Sequence, residues 1–190
     1  MSRKPVEEPE PPEEVEDDAA LVARFRAGDR LAFDRLVRRH QRPLYFFLLR
    51  QVRDHDEAAE LTQRTLVRAF QKIHALRDDG SLRTWLFRIA VRFSLNHVRD
   101  RSRYSREDEA PEPIAEPVSH ERLQEAEDSI RLRMAVAKLP EKQRLTVELR
   151  VYDGLAFSEV AEILESTENT VKVNYHHAVT RLKEWLKELP

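Results

Sequence analysis

The chain has 190 residues, 36% of them charged and 41% hydrophobic, with three glycines and no cysteine. That length allows one medium domain or two small ones, and the lack of cysteine excludes disulfides, thiol sensors and cysteine-ligated zinc. No apolar run reaches the roughly 18 residues of a membrane helix, and the opening "MSRKPVEEPEPPEEVEDD" has no apolar core for a secretory signal, so a soluble, cytoplasmic, helix-rich protein is expected.

The net charge of −2 is very unevenly distributed. Residues 1–18 carry two basic and eight acidic side chains, whereas residues 19–103 carry nineteen and nine, a net of +10. Residues 104–129 are acidic again, with two basic and nine acidic side chains, and residues 130–190 are nearly balanced at ten and nine. A basic block set between acidic segments points to a polyanionic partner. The Glu- and Pro-rich residues 1–18 are expected to be disordered, and "YSREDEAPEPIAEPVS", residues 104–119, reads as a flexible acidic linker. The expected architecture is all-α: two helical domains, 19–103 and 120–190, joined by that linker.

In chain order, "AALVARFRAGD" predicts a short helix closed near Gly28. Asp29 caps a second helix, "RLAFDRLVRRHQRPLYFFLLRQVR", which Pro43 should bend or interrupt. A third runs from about Asp56 to Ile73, with a stripe at positions 58, 61, 62, 65, 66, 69, 70 and 73 facing inward. Glu57, Glu60, Gln63, Arg64 and Arg68 fall on its other face. "HALRDDGS" breaks the pattern, and Ser81 caps a fourth helix, "GSLRTWLFRIAVRFSLNHVRDRSR".

At 100° per residue, Arg88, Arg92, Asn96, Arg99 and Arg103 of the fourth helix fall on one narrow face, joined by Trp85. Leu82, Leu86, Ile89, Ala90 and Phe93 fill one flank, while Phe87, Val91, Leu95 and Val98 fill the other. Such a helix can be buried on two sides and stay open on a basic third. Phosphates suit the arginines and bases suit an aromatic ring, as in single-stranded nucleic acid. Trp85 by itself fits core packing better than nucleic-acid contact.

In the second domain, a helix from about His120 to Lys138 precedes one in "LPEKQRLTVELRVYDG" that ends before Gly154. "AFSEVAEIL", a tight "ESTE" connection and "NTVKVNYHHAVTRLKEWLKEL" then form a helix-turn-helix. Thr167 is placed to cap the last helix. Its inward face is Val171, Tyr175, Ala178, Val179, Leu182, Trp185 and Leu186. Lys172, Val173, Asn174, His176, His177, Thr180 and Arg181 lie opposite. Val173 either meets a thymine methyl or is simply a tolerated surface residue. His176 and His177 point about 100° apart, so they do not form a metal site, and no metal or cofactor is expected.

"AFDRLVRRHQRPLYFFLLRQVRDHDEAAELTQRTLVRAFQKI", the fourth-helix segment and "LPEKQRLTVELRVYDGLAFSEVAEILESTENTVKVNYHHAVTRLKEWL" resemble, in that order, regions 2 and 4 of extracytoplasmic-function (ECF) sigma factors of the sigma-70 family. The resemblance implies a monomeric initiation factor that binds the RNA polymerase core and promoter DNA, under an anti-sigma factor. It implies docking of Glu57, Glu60, Leu61, Gln63 and Arg64 on the β′ clamp helices. It assigns Arg77, Asp78, Asp79, Gly80, Ser81, Trp85, Arg88, Arg92, Asn96 and Arg99 to the melted −10 strand, one base being flipped into a loop pocket. Thr167, Asn169, Thr170, Lys172, Val173, Asn174, His176, His177 and Arg181 would read the −35 duplex, with the second domain resting on the β flap and the acidic linker following the RNA exit path. This chain departs from the family at Arg64, where an acidic residue is common, and at "TVKVNYHHAV", which lacks three arginines often found there. The alternative is a mimic that titrates an anti-sigma factor without touching DNA; it would not need the basic face. No phosphate-cradling glycine loop or nucleophile elbow suggests an enzyme.

Overall fold

The computed structural model describes residues 16–76, 81–104 and 123–187, and every regular element among them is helical. Asp17 accepts the Ala20 N–H at 2.7 Å and so starts α1 (Asp18–Arg26). The end of the acidic run, expected to lie outside the fold, is therefore part of it. Glu16 pairs with Arg24 at 2.7 Å, and Asp18 pairs with Arg39 at 2.6 Å and His40 at 2.7 Å. Burial pushes the Asp18 carboxyl up, but His40 and Arg39 outweigh it and hold it below its usual range. Gly28 closes the helix at φ 105°, in the left-handed region that glycine enters without strain.

Asp29 accepts the Leu31 N–H at 3.0 Å and caps α2 (Arg30–Val52), as the sequence predicts. Pro43 lies inside α2, which continues past it rather than stopping. An interior proline costs about 3 kcal/mol. Burial of Leu36, Leu44, Phe47 and Leu48 on either side of it outweighs that, at about 1.5–3 kcal/mol for each.

The third helix, α3, spans His55–Lys72, and Ile73 opens a 3₁₀ turn, Ile73–Ala75. Ala58, Leu61, Thr62, Thr65, Ala69 and Ile73 are buried as expected, whereas Phe70 is 44% exposed. Phe70 rims an aromatic cluster instead, 5.3 Å from Phe25 and 5.1 Å from Phe33. Ser81 accepts the Thr84 N–H at 3.3 Å at the start of α4 (Leu82–Tyr104). Leu82, Leu86, Phe87, Ala90 and Val91 are buried, while Val98, at the far end of its flank, is exposed.

The C-terminal bundle comprises α5 (Leu123–Ala137), α6 (Glu141–Val147) extended by a π-helical turn (Glu148–Tyr152), α7 (Phe157–Ile163) and α8 (Glu168–Lys187). Ala135, Val136, Leu139, Val147, Ala178 and Leu182 form its own core. Leu186, expected on the inward face of α8, is exposed. A second apolar surface, including Leu145, Leu149, Leu155, Val160 and Val171, joins the core of the N-terminal bundle. The two bundles therefore share one apolar interior, with α7 lying across α4.

A polar cluster closes the same junction. The Arg50 guanidinium lies between Phe47 at 5.9 Å and Tyr152 at 5.1 Å and pairs with Asp153 at 2.6 Å. Gln51 donates to Glu148, and Arg83 donates to the Asp153 carbonyl. These contacts join helices far apart in sequence, so no local periodicity foretells them.

Candidate nucleic-acid interface

Four of the basic-face residues converge. Arg88, Arg92, Asn96 and Arg99 line one wall of a groove of about 350 Å³ between the bundles. Val91, Leu95, Leu145, Ile163, Leu164 and Val171 contribute its apolar lining. Trp85 is half-buried and packs against the core. The C-terminal bundle flanks this face and pairs with part of it, while Arg92, Asn96 and Arg99 stay exposed. Thr84 donates to Glu159 at 3.1 Å, Arg88 pairs with Glu162 at 3.5 Å, and Arg92 pairs with Glu165 at 3.2 Å. Sequence reasoning missed the three glutamates because charge was summed over long windows; their i, i+3 spacing was the available signal. Arg77, Asp78, Asp79 and Gly80 lie outside the described residues, as do the side chain of Arg103 and nearly all of the expected linker.

The helix-turn-helix is formed by α7 and α8. Ser166 donates its N–H to the Ala161 carbonyl at 2.9 Å, and Glu165 adopts φ 49°, so a non-glycine residue occupies the left-handed position that ends α7. Thr167 caps α8, accepting the Thr170 N–H at 3.1 Å. Asn169, Thr170, Lys172, Val173, His176, His177 and Arg181 are all exposed on α8. Lys172 pairs with Glu168 at 2.7 Å, and Arg181 donates to Gln143 at 3.3 Å. Asn174 differs from its neighbours: it is half-buried and lines the groove facing α4.

On α3, the residues read as a docking surface separate into two groups. Glu60, Gln63 and Arg64 are exposed, with Arg64 over the Phe93 ring at 5.2 Å. Leu61 is only 1% exposed and belongs to the core, so it offers no surface to a partner. Glu57 pairs with Arg101 at 3.1 Å, with the His97 ring 3.0 Å away, and so ties α3 to α4. Val67, 48% exposed one turn beyond Gln63, is an apolar member of this face that the sequence reading passed over. Among the described residues, no group of three or more His, Cys, Asp or Glu could hold a metal ion, and no helix is long and apolar enough to cross a membrane.

Burial pushes the carboxyls of Glu148 and Asp153 up. Arg144, Arg50 and Gln51 oppose this at Glu148, where the Asp153 charge adds to it, and Arg50 and Arg83 oppose it at Asp153. A carboxyl whose pKa rises on closure takes up protons as the bundles close. That contribution to closure is complete below the ordinary carboxyl range and is lost as pH rises through the raised values. An inter-bundle fluorescence-transfer pair should therefore report closure that tightens as pH falls towards the ordinary carboxyl range. Glu148→Gln should flatten this dependence; an unchanged pH profile would remove Glu148 from it.

An all-helical pair of bundles, one carrying a helix-turn-helix and the other a row of arginines, defines a bipartite DNA-binding protein. The Sigma-70 region 2 family matches residues 36–104, and the Sigma-70 region 4 family matches residues 129–182. The ECF RNA polymerase sigma factor SigM of Mycobacterium tuberculosis is 32% identical over 169 residues, covering 89% of this chain and 84% of that protein. The RNA polymerase sigma-H factor of Pseudomonas aeruginosa is 28% identical over 187 residues, covering 92% and 96% respectively. The chain belongs to the ECF sigma factors of the sigma-70 family. Among solved structures, the sigma factor RpoE in complex with the anti-sigma factor NepR from Bartonella quintana matches with a TM-score of 0.70 at 25% identity, covering 83% of this chain and 98% of that one. CnrH in complex with the cytosolic domain of CnrY has the same fold, with a TM-score of 0.67 at 24% identity, covering 90% and 97%.

Proposed function

We propose that this chain is an alternative sigma factor that joins the RNA polymerase core in the cytoplasm, reads −35 and −10 elements, helps melt the DNA and is held in check by an anti-sigma factor. The observation that carries the reading is the convergence of Arg88, Arg92, Asn96 and Arg99 on one wall, in a chain that also carries a helix-turn-helix. Arginines on a shared face suit the phosphates of a displaced strand, whose affinity grows with each contact and falls with salt. A mimic that only titrates an anti-sigma factor would need no such row. The complex of the Bartonella relative with an anti-sigma factor supports control of the same kind here.

In this reading residues 19–103 act as region 2 and residues 120–190 as region 4. The exposed Glu60, Gln63, Arg64 and Val67 of α3 meet the β′ clamp helices, and α8 enters the −35 major groove while the domain rests on the β flap. Bond making belongs to the polymerase. Reconstitution with purified core polymerase tests the whole reading: the chain should direct transcripts from a selected promoter, and binding to core without any promoter preference would overturn it.

The −35 assignment has its own test. An asparagine amide can pair bidentately with adenine, and such a contact discriminates by about 1–3 kcal/mol. Asn174→Ala should relax preference at one or two base pairs when the holoenzyme selects sites from a randomised −35 library. An unchanged motif would count against Asn174.

A further inference from the structure

The basic charge of residues 19–103 is divided between two helices. α4 carries six arginines against Asp100, and α2 carries six against Asp34, so α2 is as basic as the helix read as the strand-binding face. Leu36, His40, Leu44, Phe47 and Leu48 bury one side of α2. At 100° per residue, Arg35, Arg38 and Arg42 fall together on the opposite side, away from the core, and all three are exposed.

Carboxylates reach only the edge of this row. Arg35 pairs with Glu16 at 3.4 Å, while Arg39 pairs with Asp18 at 2.6 Å and donates to the Glu16 carbonyl at 2.7 Å. Those contacts hold the start of α1 and account for Arg39. They do not extend to Arg38 or Arg42, with which no carboxylate pairs among the described residues. The Arg42 guanidinium lies instead over the Phe46 ring at 5.6 Å, which steadies its planar head on the surface.

On the reading of this chain as a sigma factor, we infer that Arg35, Arg38 and Arg42 grip the phosphate backbone of duplex promoter DNA, a contact separate from that of the −10 strand with α4. The three span about 10 Å at 1.5 Å per residue, the rise of about three phosphates along one strand. Duplex fits this face better than a single strand, which would need rings open to its bases. Here Phe46 is half-buried under Arg42, and half-buried Tyr45 is held through its hydroxyl by His55 at 2.7 Å. An acidic protein surface fits less well, because a protein interface has an apolar centre. The exposed Leu31 stands one turn before Arg35, at the end of the row rather than its centre. A contact of this kind reads no bases; it adds affinity and salt dependence.

Arg38→Gln with Arg42→Gln tests this in the full chain assembled with core polymerase. Both side chains are exposed, so thermal melting of the free protein should match the parent. On a duplex fragment carrying a selected promoter, the slope of log affinity against log salt should flatten by about 1.8, at roughly 0.9 per phosphate contact. The −10 and −35 preferences in site selection, and the affinity for core, should be unchanged. Arg38→Lys with Arg42→Lys should keep the parent slope, since lysine meets a phosphate as a point charge. A parental salt slope in the glutamine variant would overturn the contact. Loss of core affinity with that slope unchanged would assign the row to an acidic protein surface and overturn it equally. A parent holoenzyme without promoter preference, whose slope on nonspecific duplex the glutamine variant still flattens, would overturn the sigma-factor reading and leave the backbone contact standing.

Discussion

Arg88→Ala combined with Arg92→Ala is expected to abolish open-complex formation while leaving a folded protein. The two guanidiniums make only partly exposed ion pairs, with Glu162 and Glu165, and such pairs contribute about 0.2–1 kcal/mol each before screening. Losing both is small against the 5–15 kcal/mol stability of an ordinary domain. Losing two phosphate contacts is large for function: the salt slope of single-strand binding should fall by about 1.4, at roughly 0.7 per contact. The substitutions only remove pairs with the C-terminal bundle, so a melting defect could not arise from tighter closure. Permanganate footprinting of the −10 segment reads the outcome, and normal melting by the double variant would remove the assigned role.

Phe87→Ala should fail for the opposite reason, by loss of the fold. Phe87 is 1% exposed, meets Phe47 edge-on at a centroid distance of 5.4 Å, and carries Arg83 over its face at 5.8 Å. Truncating a buried phenylalanine costs about 3–5 kcal/mol, because the cavity adds to the lost transfer energy. The ring anchors α4 against α2, so the loss also frees the helix that presents Arg88 and Arg92. Urea denaturation of the full chain should show the midpoint falling sharply. A midpoint within error of the parent would mean that the neighbouring side chains fill the gap.

These two residues sit one position apart on α4, and their contrast shows how much could be read from the sequence. Periodicity separated Phe87 from Arg88 correctly, since adjacent helical residues point about 100° apart. The caps at Asp29, Ser81 and Thr167 were legible for a similarly local reason: a short polar side chain reaches its own backbone two or three residues on. The closed arrangement was not legible. Arg92 meets Glu165 and Arg50 meets Asp153 across long stretches of chain, and α7, at seven residues, is too short for its glutamates to stand out as a stripe. At Pro43 the helix is not interrupted, because the local cost of the proline is smaller than the burial on either side of it. Leu61 misled because an apolar residue on a docking helix can equally face the core, which is where it lies.

The central claim is that one row of α4 side chains holds the displaced −10 strand in the open complex. Asn96, exposed and lining the groove between the bundles, is the position at which to ask. With a photo-crosslinking amino acid at that position, the holoenzyme on an open promoter should crosslink to the non-template strand. Crosslinks to protein alone in the open complex, with none to DNA, would contradict the account.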